Sequence, residues 1–542
     1  MTTTQPCSPN VPPLRNAERG PGGEDKITYT SANVDWDLFD RQFDEALDRV
    51  RAQFGREYPL YIGGEAVTSS AKPIVDTSPI DTRIVLGNFA TATAAHVNQA
   101  VMAARAAQAA WGRRDWRERV AILRRAAELI RERKFELAAV IGVEVGKSRL
   151  ESMGDAEESA DLIDYYCQQM EDADGFVRQM AKVTPIERNT DVLRPYGVFA
   201  CIAPFNFPLA LSTGMSSAAL VAGNAVVYKP AEDTPWTGLK LYEVYRDAGL
   251  PAGLFNYLSG HGPEAGEALW RHAGIDGVVF TGSKEVGLRI YHGVSSKWIK
   301  PCLLELGGKN AAIVMDTADL DAAAEGVMRS AFGLQNQKCS ATSRVYIHQK
   351  VAQDFVAKLL EKTKALKIGD PTERDVFFGP VINADAVKKF ERAVAQAKQD
   401  GEILLGGGRL TGKQFERGLY VAPTIARLPL NSSLFMEELF VPVLAVGEVS
   451  DLDQAIAETN KVDYGLTAGI FSRRESDITR FFDAVEAGVC YVNKRTGATT
   501  GAWPGAQPFT GWKGSGSTGK GGCGPYYVAQ FMREQSRTVI DS

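Results

Sequence analysis

Over residues 198–295 short apolar runs alternate with helix-like stretches, and this alternation restricts the available folds more than any other feature. Val198-Phe199-Ala200-Cys201-Ile202-Ala203 opens the series and a helical pattern over 208–222 follows it. Then come a strand over 225–229, a helix over 235–249, a strand over 254–258, a helix over 263–273, a strand over 277–280 and a helix over 283–295. Such spacing predicts βαβ units on a parallel sheet, an α/β fold. Ligands of these sheets bind where the carboxyl ends of the strands meet helix N-termini. Residues 203–206, 229–232, 260–262 and 282–287 fall there, so this half is a nucleotide-binding candidate.

A second α/β run begins after Asn310, with strands predicted over 311–314, 344–347, 404–405 and 441–446 and helices over 351–366, 385–399, 452–459 and 476–486. Upstream, helical patterns cover 36–54, 94–142 and 149–170, with a strand and turn at 58–64. Residues 183–187 and 190–193 flank Arg188-Asn189, which predicts a two-stranded arm. An isolated hairpin does not hold itself together, so the arm is expected to pair with another subunit.

Two groups suggest chemistry. Gln335-Asn336-Gln337-Lys338-Cys339-Ser340 sets a thiol in a polar turn beside a lysine. Leu303-Leu304-Glu305-Leu306 sets one carboxylate in an apolar run, where it is costly unless paired, hydrated or working. A buried, inert thiol is the usual state of a cysteine. The polar neighbours point instead to an accessible thiol in a positive field, the setting that activates it. Thiol and carboxylate together suit covalent catalysis, in which one group attacks and the other activates water.

At 542 residues the chain should divide into two or three domains. A net charge of −5 argues against a nucleic-acid or membrane-surface role. No apolar run reaches the roughly 18 residues of a membrane span. Residues 1–30 read as a disordered leader without a secretory apolar region. The seven cysteines form no CxxC pair, which predicts free thiols in a reducing cytoplasm. With five histidines and no ligand-like Cys/His spacing, no metal site is expected.

Pro204-Phe205-Asn206-Phe207-Pro208, Lys229-Pro230-Ala231-Glu232, Phe280-Thr281-Gly282-Ser283, Glu305-Leu306-Gly307-Gly308-Lys309, Gln337-Lys338-Cys339 and Glu437-Glu438-Leu439-Phe440 follow one another along the chain. In order and spacing they resemble the aldehyde dehydrogenase superfamily, from about Tyr58 to the C-terminus. The resemblance implies two Rossmann-like α/β domains and a β-hairpin oligomerisation arm. Residues 31–178 and 199–308 would bind NAD, 309–501 would be catalytic, and 179–198 with 502–542 would form the arm and C-terminal segment. It implies Cys339 as the nucleophile, giving a thiohemiacetal and then a thioester, and Glu305 as base for the hydrolytic water. Asn206 and the Cys339 N–H would stabilise the oxyanion, a contribution of roughly 3 kcal/mol.

For the cofactor it implies Ala203, Pro204, Phe205, Lys229, Glu232, Gly262, Gly282, Ser283, Gly287, Leu306, Glu438 and Phe440. Of these, Gly282 to Gly287 also reads as a plain helix start and Phe440 as core. A glutamate at 232 accepts from ribose hydroxyls and repels a 2′-phosphate, which favours NAD over NADP.

Within the superfamily, Phe54-Gly55-Arg56-Glu57-Tyr58-Pro59-Leu60-Tyr61-Ile62-Gly63-Gly64, Cys339-Ser340 and Thr500-Gly501-Ala502 before Gln507-Pro508-Phe509 resemble the L-glutamate γ-semialdehyde dehydrogenases. That likeness implies Ser340, Gly501, Ala502 and Phe509 around the substrate, with the Gly-Ala N–H groups on its α-carboxylate and Glu158 near its ammonium. Converging neutral donors suit a carboxylate. Thr496-Gly497-Ala498 repeats the triplet upstream, so either copy could be the anchor. Thr510 and Val441 replace glycines usual in the family. The implied reaction is NAD-dependent oxidation of glutamate γ-semialdehyde in proline catabolism, by a homo-oligomer with a separate proline dehydrogenase as a possible partner. Succinate semialdehyde is the alternative if Arg495 reaches the anchor; a non-catalytic relative is the other.

Overall fold

Each apolar run of the first half becomes a strand of one seven-stranded sheet. In the computed structural model, which describes residues 35–541, Cys302–Glu305, Gly277–Thr281, Val198–Ile202, Ala225–Lys229 and Phe255–Tyr257 lie side by side and parallel. Leu60–Ile62 and Glu65–Val67 close one edge antiparallel. The register sets Glu305 opposite Thr281, Phe280 opposite Ile202 and Ile202 opposite Lys229. One sheet edge therefore gathers Glu305, the 203–206 loop and Lys229 at the carboxyl ends of the strands.

A second seven-stranded sheet runs in the order Glu402–Leu405, Thr424–Arg427, Val443–Val449, Thr342–His348, Asn310–Val314, Thr467–Phe471, Val489–Val492. All neighbours are parallel except the first pair. Its inner strands read as unbroken apolar runs because helices cover both faces. Phe390, Phe435 and Phe481 pack on one face, and Phe332, Phe355 and Phe378 on the other. Polar caps fix several of those helices. Asp319 accepts from the Asp321 and Ala322 N–H groups at 3.1 Å, and Asn383 accepts from Ala386 N at 3.0 Å.

Several expectations need correction. Glu187–Pro195 is one strand that passes straight through Arg188-Asn189, and the chain turns earlier, between it and Val177–Gln179. Asn189 does not make the turn; its side chain donates to Ala181 O at 3.0 Å across it. The arm is not a lone hairpin either, since Met532–Ile540 pairs along the whole length of Glu187–Pro195. That C-terminal strand escapes a hydrophobicity reading because nearly every residue in it is exposed.

The helix over 263–273 is a π-turn, Gly262–Gly266, followed by only Glu267–Arg271 in α conformation. The Gly-rich tract 511–524 is pinned within the chain, with Trp512–Lys513 paired to Tyr464–Gly465. The leader and Cys7 lie outside the described residues. Among those described, Cys167, Cys201, Cys302, Cys339, Cys490 and Cys523 are free thiols, and no helix is long and apolar enough to cross a membrane.

Candidate active site

Cys339 follows a turn that the polar residues build rather than decorate. Leu334, Gln335 and Asn336 have φ of 47°, 54° and 63°, three successive left-handed residues without a glycine. Each costs on the order of 1–2 kcal/mol against the usual backbone. The turn persists because its amides are buried struts. Asn336 donates to Ala331 O and Thr342 O at 2.8 and 2.9 Å, and Gln337 accepts from Ile382 N at 2.9 Å. The polar run therefore serves the turn itself, while the thiol it presents is half-buried and lines a cavity.

Lys338 does not supply a positive field for it, because that ammonium pairs with Glu151 at 2.5 Å. Burial pushes the Cys339 thiol up to about 12, and the Glu438 and Glu305 carboxylates push the same way. The Ser340 and Cys339 N–H groups pull against them. Asn310 fixes the loop from below, donating to Cys339 O at 2.7 Å and Ala341 O at 2.9 Å. Nothing in the sequence beyond its place after Gly307-Gly308-Lys309 singled out this asparagine.

Glu305 ends the edge strand of the first sheet, and its backbone carbonyl accepts from Gly282 N at 3.1 Å. Burial raises its carboxyl to about 8, opposed by one N–H, that of Gly522. Its Oε2 has no protein partner. Glu305 is therefore a largely protonated acid at neutral pH with one oxygen unclaimed, the state expected of a group poised to exchange a proton.

Cys339 and Glu305 line one cavity of about 370 Å³ between the two sheets. Ser340, Gly501, Ala502, Phe509 and Glu158 line it too, so the structure brings together every substrate residue the sequence suggested. The later Thr-Gly-Ala copy faces the cavity. In the earlier copy Ala498 is buried and its N–H donates to Gly326 O at 2.9 Å. Gly501 and Ala502 present backbone N–H groups that donate to no acceptor among the described residues. Arg495 points away from this loop, bound to Glu325 and Asp321 at 2.6 and 3.1 Å.

Asn206 is buried in the loop after Val198–Ile202 and is not itself among the lining residues; its neighbour Phe207 is. Phe207 was not among the predicted site residues. Its ring carries the Lys147 ammonium 3.7 Å from its centroid, and Lys147 pairs with Asp155 at 2.7 Å, both fully buried. Asp155 also accepts from Ala210 N at 2.7 Å, which ties the helix after the loop to the same pair. Cys523, Gly522, Tyr166 and Tyr527 are further lining residues that neither motif nor periodicity revealed.

The residues expected at the cofactor follow the sheet edge away from the thiol. Phe205 meets Phe440 edge-on at 5.9 Å, and Phe440 holds φ 58°. Glu438 is half-buried and accepts from Gly308 N at 2.8 Å; any side chain at Gly307 would strike its carboxylate. Gly287 lies against Leu306 as closely, and Ser283 caps the helix Lys284–Val294. Ala203 N donates to Lys229 O at 3.1 Å, which leaves Pro204 at the start of the crossover loop. Lys229 is buried with its ammonium on Pro230 O at 3.0 Å, and burial lowers it to about 8. An ammonium has three donors, so it retains capacity for a hydroxyl. Glu232, nearer the surface, accepts from His261 at 2.6 Å, and Gly262 beside it opens onto free space. A buried cation at Lys229, the half-buried Glu438 and side-chain-free glycines along a strand-end cleft fit a dinucleotide.

Comparison with known proteins agrees with this geometry. The model of the aldehyde dehydrogenase family matches residues 66–536. A 1-pyrroline-5-carboxylate dehydrogenase of Geobacillus sp. (strain WCH70) is 37% identical over 507 residues, covering 92% of this chain and 96% of the relative. The crystal structure of 1-pyrroline-5-carboxylate dehydrogenase from Thermus with bound NAD superposes with a TM-score of 0.90 at 36% identity, covering 98% of this chain and 100% of the other. Proline utilization A from Bdellovibrio bacteriovorus, inactivated by N-propargylglycine, matches with a TM-score of 0.88 at 34% identity, over 92% of this chain and 52% of that one. The chain belongs to the aldehyde dehydrogenase family.

Proposed function

We propose that the protein oxidises L-glutamate γ-semialdehyde to L-glutamate with NAD, as the relatives' names suggest, in the breakdown of proline. The observation that carries this reading is one cavity lined by a thiol, a proton-exchanging carboxylate and two unpaired N–H groups suited to a carboxylate. Cys339 loses its proton to solvent and its sulfur bonds to the aldehyde carbon; the Cys339 N–H would take the oxyanion, with the amide of Asn206, buried just outside the cavity lining, as the second candidate donor. A bound NAD would supply the acceptor for the hydride that leaves that carbon. Glu305, once ionised, takes a proton from water, the water oxygen adds to the thioester carbon, the carbon–sulfur bond breaks and the departing sulfur recovers a proton from Glu305. Glu305 hands on the proton it takes from water and Cys339 ends as a thiol, so neither is consumed.

Lys229, Glu232, Glu438, Leu306 and Phe440 would hold the cofactor, and Ser340, Phe509, Gly501 and Ala502 the substrate, with Glu158 facing its ammonium. Succinate semialdehyde loses support because Arg495 is committed to Glu325 and Asp321. The exposed apolar residues Val177, Met180, Val183, Ile186, Val539 and Ile540 on the arm support a homo-oligomer. Free thiols support a cytoplasmic setting, where a separate proline dehydrogenase would supply substrate. The test is kcat/KM across glutamate γ-semialdehyde, succinate semialdehyde and an aliphatic aldehyde, each with NAD and with NADP. Highest values for the glutamate compound with NAD are expected; a preference for another aldehyde would overturn the assignment.

A further inference from the structure

Lys494 stands behind the Gly501–Ala502 turn, outside the cavity, and its role is not explained by the chemistry above. Its ammonium donates to Thr500 O at 2.6 Å and to Gly501 O at 3.1 Å, and rests 4.1 Å from the centroid of the Tyr491 ring. No carboxylate pairs with it among the described residues. Arg495, its neighbour, is paired with acids on the helix Leu320–Phe332, so the two adjacent cations face opposite ways.

In a trans peptide the C=O and N–H point in opposite directions. The two carbonyls that Lys494 draws toward itself belong to the peptide units whose N–H groups are those of Gly501 and Ala502. Gripping both carbonyls from one side therefore turns both N–H groups to the other, the side on which these residues line the cavity. The positive charge also polarises each peptide unit and strengthens its N–H as a donor. Gly501 allows the arrangement: its φ is 94°, and a Cβ there would lie 2.9 Å from the Lys494 Nζ.

We propose that Lys494 is a positioning residue for substrate selection, aligning and polarising two peptide units so that the Gly501 and Ala502 N–H groups take the substrate carboxylate without a cation entering the cavity. The inference rests on the reading of Gly501–Ala502 as the carboxylate anchor. A cation behind the peptide, rather than in the cavity, gives selectivity for a carboxylate while leaving the thiol free of a competing ion partner.

The experiment compares wild type, Lys494→Met and Lys494→Arg for glutamate γ-semialdehyde and for hexanal, with NAD binding followed by fluorescence to verify a folded cofactor lobe. In Lys494→Met the ratio of kcat/KM values, semialdehyde over hexanal, should fall about tenfold, the scale of one lost charge-assisted contribution. The fall should reside in KM for the semialdehyde, and Lys494→Arg should recover most of it. A methionine variant that binds NAD and keeps the wild-type ratio overturns the inference, as does one that loses both substrates equally or through kcat alone. A wild-type enzyme that shows no preference for the carboxylated aldehyde would sink the anchor reading itself, a separate failure.

Discussion

The thiol and the acid that line the same cavity are both held in their proton-bearing forms by burial. Their roles predict different failures. Cys339→Ala should abolish NAD reduction, whereas Glu305→Gln should give one burst of NADH per site and then stall, read by stopped-flow absorbance. A steady rate in the glutamine variant equal to wild type would remove Glu305 from the base role. Stability carries the opposite sign. The folded protein keeps the Glu305 proton up to about pH 8, whereas an unfolded glutamate loses it near 4.5. Native Glu305 therefore binds more protons between these values, and stability declines as pH rises through that window. Glu305→Gln removes the decline. It should be more stable than wild type at pH 9, by on the order of 2–4 kcal/mol after allowing for solvent entering the cavity, and equal to it at pH 4. Denaturant titrations at the two pH values check this.

At the scale of elements, the turn before Cys339 is where sequence and structure part most instructively. Gln335, Asn336 and Gln337 resemble surface residues by type, yet all three are buried. The Asn336 and Gln337 amides reach backbone groups of the flanking segments, Ala331 O, Thr342 O and Ile382 N, a demand invisible until the fold is known. Asn336→Ala would orphan two carbonyls and put a Cβ at φ 63° without the local help of an amide. A loss of about 2–4 kcal/mol follows, with a lower kcat because Cys339 is displaced; denaturation midpoints and single-turnover rates measure both.

The βαβ series was legible because strands buried on both faces must be apolar, and helices between them must be amphipathic. Cys302–Glu305 was not recognised as a strand, although its carboxyl end positions the acid, because the carboxylate interrupts its apolar run and Gly307-Gly308 follows it instead of a helix. Met532–Ile540 was missed for the opposite reason, being long but exposed. Cys339, Glu305 and the anchor were legible as motifs. Phe207, Lys147 and Asp155 were not, since a ring and a buried ion pair meet only through the fold.

Across the whole molecule, the arm is the part that a single chain leaves unfinished. Val183 is 86% exposed and Ile186 53%, at the tip of a three-stranded sheet that no other element among the described residues covers at that point. Such side chains are stable in water at a cost that a second copy would relieve. The double variant Val183→Asp with Ile186→Asp should sediment as a smaller species than wild type, with its NAD affinity retained; unchanged sedimentation would separate the arm from assembly. The two sheets, by contrast, complete the cavity within one chain, so activity should be present in whatever species is smallest. The most direct test of the account uses Glu305→Gln, mixed with NAD and the semialdehyde, quenched and digested for peptide mass spectrometry. The acyl group is expected on Cys339 alone; its appearance on Cys523, the other thiol lining the cavity, or the absence of any adduct after a burst of NADH, would contradict the assignment of the nucleophile.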